Sequence, residues 1–299
     1  MKKALLICAV NLVILSWACT LKQPGLADDP FFESFFEKAR LIMTREEISI
    51  YQHLPSIEAR EEFIDDFWKK RDPDPNTDEN ENLIEFERRI EYANRWFREN
   101  RPANRGWDTA RGRILLLLGE PDERESIQWI PSPQVKAIER WVYYDFSLYL
   151  EFWDRRGHGE FQLEYPPPEL LSAIERSRFT LDLRNREALK RAFKFTVKYQ
   201  DQQLFVEMPV NRIVFSENNG SLDARFMVTV YLYREYTKTD EFILEKTVSL
   251  SRKEALENKD IQITIPLTLN EKAQYYVDLI IEDLEAGSKY RNFHSFRLR

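Results

Sequence analysis

The chain has 299 residues, 43% hydrophobic and 13% aromatic, which suits folded domains and argues against a disordered polymer despite 32% charged residues. Its length exceeds one average domain, so each half can bury its own core. The formal charge of -7 disfavours non-specific attraction to nucleic acid or anionic lipid.

The N-terminus reads Lys2-Lys3, an apolar stretch from Ala4 to Leu15, then Ser16-Trp17-Ala18-Cys19. That stretch is too short for a membrane span and fits the apolar core of a signal peptide over 1–18. Ala18-Cys19 resembles a bacterial lipobox, in which Cys19 becomes the lipidated first residue of the mature chain. Cys8 and Cys19 are the two cysteines, so none is left for the folded body. Thiol catalysis, a cysteine zinc site and haem attachment are thereby excluded. The polar segment 19–29, with Pro24 and Gly25, suits a tether.

From Phe31 to Met43 a helical stripe carries Phe32, Phe35, Phe36, Ala39 and Ile42. Thr44-Arg45-Glu46-Glu47 is a capping-box pattern that opens a second helix toward Leu54. Pro55 ends that helix and Ser56 can cap a third, whose Phe63, Ile64, Phe67 and Trp68 share a face destined for the core. The acidic stretch Asp72 to Asn80 contains Pro73 and Pro75, which forbid helix continuation. A calcium loop of the EF-hand type needs Gly and Glu where this chain has Thr77 and Leu83, so a solvated loop is expected and no metal. Leu83, Phe86, Ile90, Ala93 and Phe97 mark a long amphipathic helix with Trp96 at its shoulder.

The densest turn chemistry and the most apolar run meet in Gly106 to Asp122. Ile114 to Leu118, five apolar residues between Gly112 and Gly119, reads as a buried central strand. Gly119-Glu120-Pro121-Asp122 then turns the chain. Strands follow over Ser126 to Ile130, Glu139 to Tyr144, Leu148 to Trp153 and Glu160 to Tyr165, the last two joined by Asp154 to Gly159. Helices packed on a small antiparallel sheet, an α+β domain over 30–168, is the expected architecture. Pro166-Pro167-Pro168 stops the sheet, and a partly helical bridge is expected over 169–192. From Phe193 the pattern alternates, as in Phe226, Val228, Val230 and Leu232, and Asn218-Asn219-Gly220 signals a tight turn. Seven or eight such strands over 193–299 read as an immunoglobulin-like sandwich.

Gly106-Trp107-Asp108-Thr109-Ala110, with Arg111-Gly112-Arg113 and Leu118-Gly119-Glu120-Pro121-Asp122, resembles the signature of the bacterial GWxTD domain family. The resemblance extends through Phe63 to Pro73, Glu79-Asn80-Glu81, Tyr92 to Phe97, Trp141 to Tyr144 and Phe152, roughly half the chain. The family pattern ends in Thr-Asp, whereas position 110 here is Ala. The resemblance implies an exported protein, often a lipoprotein with a β-sandwich behind the signature domain, and no established activity.

The candidate binding or structural residues are Gly106, Trp107, Thr109, Arg111, Gly112, Arg113, Gly119, Pro121 and Asp122. As a cleft, they would offer Trp107 as a stacking wall and Arg111 as a bidentate clamp for an acidic or sugar-like ligand. As a joint, Trp107 would plug the core and Arg111 would pair with helix carboxylates such as Asp65 or Asp66, and this is the expected role. No phosphate loop, nucleophile elbow or zinc-protease motif occurs, and His53, His158 and His294 are far apart. The expected function is a non-catalytic envelope lipoprotein that binds or assembles another envelope protein. It would be exported, periplasmic or surface-facing, and held to the membrane by its lipid, with no cofactor, metal or nucleic acid. The alternatives are a hydrolase or carbohydrate binder with a cleft at the signature, or a carbohydrate-binding sandwich with exposed aromatics along one sheet face.

Overall fold

The computed structural model describes residues 30–102, 104–128, 130–179 and 192–299. The leader, the tether with Cys19, and residues 180–191 of the expected bridge lie outside the described residues.

Four helices come first: α1 (Pro30–Ala39), α2 (Arg45–Gln52), α3 (Ile57–Lys69) and α4 (Glu81–Trp96). Their starts are local chemistry. Thr44 forms the expected capping box, accepting from the Glu47 amide while the Glu47 carboxylate accepts from the Thr44 amide. Ser56 accepts from the Ala59 amide, and Asn80 from the Leu83 amide at the start of α4. Asn80 and Asn82 also donate to the Trp68 and Arg71 carbonyls, at 2.7 Å each, so the entry to α4 is tied to the end of α3. In the acidic loop between them Asp72 and Asp74 accept from the Asp74 and Asn76 amides.

A 3₁₀ turn (Gly106–Asp108) leads into α5 (Ala110–Leu118). Here the expectation of a central strand over Ile114 to Leu118 is overturned: the run is helical. Thr109 accepts from the Gly112 amide as N-cap, and Gly119 ends the helix with φ 81°. The apolar run gives no helical stripe because α5 is enclosed, with Arg111, Gly112, Ile114, Leu115 and Leu116 all buried. A helix buried over most of its circumference needs little polar face, here Arg113, and its packing offsets its shortness.

The small sheet is antiparallel in the order β1 (Glu123–Gln128), β2 (Ala137–Tyr143), β3 (Leu148–Asp154), β4 (Gln162–Glu164). Strict alternation on β2 and β3 turns Trp141, Tyr143, Leu148, Leu150 and Phe152 inward, where they form one core with Phe86, Ala93, Phe97, Trp107 and Leu115. Helix α6 (Pro168–Phe179) covers that core with Ala173 and anchors Arg176 on the Phe146 carbonyl.

The remaining strands are β5 (Thr196–Gln200), β6 (Gln203–Pro209), β7 (Ser216–Asn218), β8 (Ser221–Arg234), β9 (Thr237–Leu250), β10 (Asp260–Pro266), β11 (Gln274–Asp283) and β12 (Ser288–Arg297), with a short helix α7 (Arg252–Glu257) before β10. A three-stranded sheet β10-β6-β5 faces a five-stranded one, β12-β11-β8 with β7 and β9 both on β8. Val206, Met208, Val228, Val230, Ile263, Leu279 and Ile281 fill the space between them, the interdigitation of a β-sandwich. The class is α+β followed by an all-β unit, as expected.

The helical layer serves two partners. Helices α4 and α5 cover the small sheet, whereas Ala39, Met43, Ile50, Tyr51, Phe63 and Phe67 of the α1–α3 region share a core with Tyr231 and Tyr233 on the outer face of the sandwich. Among the described residues no helix is long and apolar enough to span a membrane.

Candidate functional site

The signature residues converge at the crossing of α4, the 3₁₀ turn and α5. A Cβ on Gly106 would stand 2.1 Å from the Ala93 carbonyl oxygen, and one on Gly112 would stand 2.2 Å from the Gly106 oxygen. Both positions need glycine because backbone meets backbone there. Thr109 closes the turn by donating to the Gly106 carbonyl at 2.8 Å as well as capping α5. Trp107 is 1% exposed, and its ring nitrogen donates to the Asn104 carbonyl, so its one polar atom is satisfied inside.

Arg111 lies beneath this turn, between the rings of Phe97 and Phe161 at 4.8 and 4.0 Å. Its guanidinium reaches Glu139 at 2.8 Å and Glu99 at 3.0 Å. The expected partners Asp65 and Asp66 are not its partners. Asp66 pairs instead with Lys238 of β9, at 2.7 Å, because α3 faces the sandwich. Glu99 sits in a left-handed backbone conformation, φ 52°, and burial pushes its carboxyl up although Arg111 opposes the shift. Glu139 accepts from Arg111, from Arg124 at 2.6 Å and from the Trp141 indole at 2.6 Å.

The outer signature residues are committed as well. Arg113 pairs with Asp108 at 2.7 Å, which also faces Arg101 and Arg105. The Gly119 carbonyl accepts from the buried Tyr143 hydroxyl at 2.9 Å, and a Cβ at Gly119 would press on the Arg89 guanidinium at 2.8 Å. Pro121 fixes the backbone into β1, where the Asp122 amide donates to the Val142 carbonyl and its carboxylate accepts from the Tyr144 amide. Ala110, where the family pattern has Asp, is the first residue of α5 and packs against the core.

A second constellation escaped sequence reasoning. Glu47 of α2 accepts from Arg71 at 2.8 Å and from Arg291 of β12 at 2.7 Å; Arg291 also grips Asp278 of β11 at 2.6 Å, and Lys70 reaches the same carboxylate at 3.2 Å. Lys70 further donates to the Tyr233 hydroxyl and lies 4.1 Å from the Tyr231 ring centroid. Burial alone would raise Glu47, but Arg291, Arg71 and the Thr44 amide outweigh it and hold the carboxylate far below its ordinary range. Burial pushes Lys70 down despite Asp278 beside it. Alternation on β2 could have exposed Glu139 as inward-facing, in phase with Trp141 and Tyr143. The capping-box pattern marks Glu47 only as part of a helix start, and no local signal marks it or Arg291 as half of a long-range ion pair.

Among the described residues no three His, Cys, Asp or Glu side chains are grouped as metal ligands. Three exposed aromatics, Tyr144, Tyr149 and Tyr165, lie on and beside the outer face of the small sheet, while Phe31 and Trp96 are exposed on α1 and α4.

A helical layer locked by a Gly-Trp-x-Thr turn onto a four-stranded antiparallel sheet, with a β-sandwich behind it, defines an α+β protein built around a signature joint. The chain carries a GWxTD domain: residues 30–158 match the family described as the GWxTD domain. Comparison with curated proteins finds no match.

Proposed function

We propose that this protein is a non-catalytic envelope lipoprotein that binds or assembles another envelope protein. The observation that carries this reading is the commitment of Arg111: its guanidinium is spent on Glu99 and Glu139 between two aromatic rings, which makes the signature a rigid frame for presenting surfaces. Localisation rests on the leader and Cys19, where lipid attachment would hold the chain to the membrane.

Two experiments test it. Chemical cross-linking of the full-length tethered protein in native envelopes, followed by affinity capture, should enrich a reproducible envelope protein over an untagged control; no enrichment overturns the assembly role. Cys19→Ser should abolish lipid labelling and release the protein from membranes, and retained labelling overturns the anchor.

A further inference from the structure

The outer face of the small sheet carries a cavity of about 330 Å³ bordered by Tyr149, Glu151, Glu164, Tyr165, Pro167 and Glu169. Its chemistry follows from register. Arg140, Glu151 and Glu164 stand side by side on β2, β3 and β4, so they share the solvent face. Tyr149, two residues before Glu151, stands on the same face and is 50% exposed. Alternation after Leu163 and Glu164 would turn residue 165 toward the core. Instead Tyr165 adopts a left-handed backbone, φ 44°, and its ring is 78% exposed, edge-on to Trp153 at 5.9 Å. A bulky aromatic is thus held outward in a conformation that such residues rarely adopt.

The cavity wall has two tyrosine rings, three carboxylates and no basic residue. Arg140 and Arg155 pair with Glu151 and Glu164 from beside it, at 2.9 and 2.8 Å, while Glu169 has no cationic partner among the described residues. Farther along the face, Glu125 pairs with Arg140, so carboxylates outnumber guanidinium groups there. The chain itself shows what such a surface holds: the Arg155 guanidinium lies 5.2 Å from the Trp153 ring centroid while bridging to Glu164. Aromatic faces beside carboxylates favour a partly desolvated cation, through the ring quadrupole and through charge.

We propose that this cavity seats a lysine or arginine side chain presented by an extended segment of a partner protein. The proposal rests on the protein-binding reading above and names the chemistry of the partner at one site. A neutral glycan stacked on the tyrosines is the competing occupant; it would leave the Glu169 carboxylate without a counter-charge.

The test uses the full chain and a fluorescent peptide of alternating arginine and proline, read by anisotropy, with an alternating glutamate and proline peptide and a soluble chito-oligosaccharide as the other probes. The arginine peptide should bind saturably and more weakly as salt rises. Tyr165→Ala and Glu169→Gln should each weaken it about tenfold, with unchanged melting temperatures because both side chains are exposed. Absence of saturable arginine-peptide binding, equal binding of the glutamate peptide, or unaltered affinity in both variants overturns the proposal. So does Tyr165-dependent binding of the oligosaccharide without peptide binding. If cross-linking captures a protein partner equally well with Tyr165→Ala, the assembly role stands and this site falls.

Discussion

Glu47 and Arg291 are 244 positions apart in sequence and 2.7 Å apart in space, both with side chains under 5% exposed. One begins α2 and the other lies in β12, so their contact clamps the first helices to the sandwich. Glu47 is also half of the Thr44 capping box, which couples a local helix start to a long-range ion pair.

Removing one partner from such a buried pair should be far costlier than losing a surface salt bridge, because the remaining charges lose their compensation. Glu47→Gln should cost about 3 kcal/mol in urea unfolding of the full chain. A loss below about 1 kcal/mol would show that the clamp contributes little.

The same carboxylate predicts an acid response. Glu47 is held well below its ordinary 4.5 in the folded chain, so the unfolded chain binds its proton more readily. Its stabilisation is present above about pH 4.5 and is lost as pH falls toward the folded value. Glu85, lowered to about 2 by Arg88 and Arg89 against the opposing effect of burial, acts in the same direction between 4.5 and about 2, weakened by solvent screening. Urea midpoints measured across this range should fall with acid, and Glu47→Gln should flatten the slope. Parallel slopes for the two proteins would remove Glu47 as the cause.

At the signature, Trp107→Ala should cost roughly 3–5 kcal/mol, since it empties a fully buried site. Gly106→Ala should cost about 2 kcal/mol or more, because the new Cβ meets the α4 backbone and not a side chain that can move. If Trp107→Ala unfolds within about 1 kcal/mol of the parent, the joint is not structural.

Ala110→Asp restores the family residue at the first position of α5. The helix dipole would favour the carboxylate by a few tenths of a kcal/mol up to about 1 kcal/mol, while partial burial opposes it. Thermal melts should therefore shift little in either direction. A loss above about 2 kcal/mol would mean that Ala110 is a packing requirement in this chain.

Much of the helical layer was determined by sequence alone. Thr44 and Ser56 act on amides three residues away, and the stripe of Phe63 and Phe67 repeats within one helix, so spacing was enough to place them. The alternation of β2, β3 and the sandwich strands was legible for the same reason. The Gly-Trp-x-Thr stretch was also readable as a joint, down to a paired Arg111. Tertiary structure decided which carboxylates that arginine meets, because Glu99 and Glu139 reach it only when α4, α5 and β2 are packed. It also decided that Ile114 to Leu118 is helical: five apolar residues in a row show no periodicity, and the neighbours that bury Ile114, Leu115 and Leu116 select the conformation. In sequence Glu47 shows only its capping role, and Arg71, Asp278 and Arg291 look like ordinary surface charges. Only the docking of α2 and α3 against β11 and β12 removes their water and makes them partners.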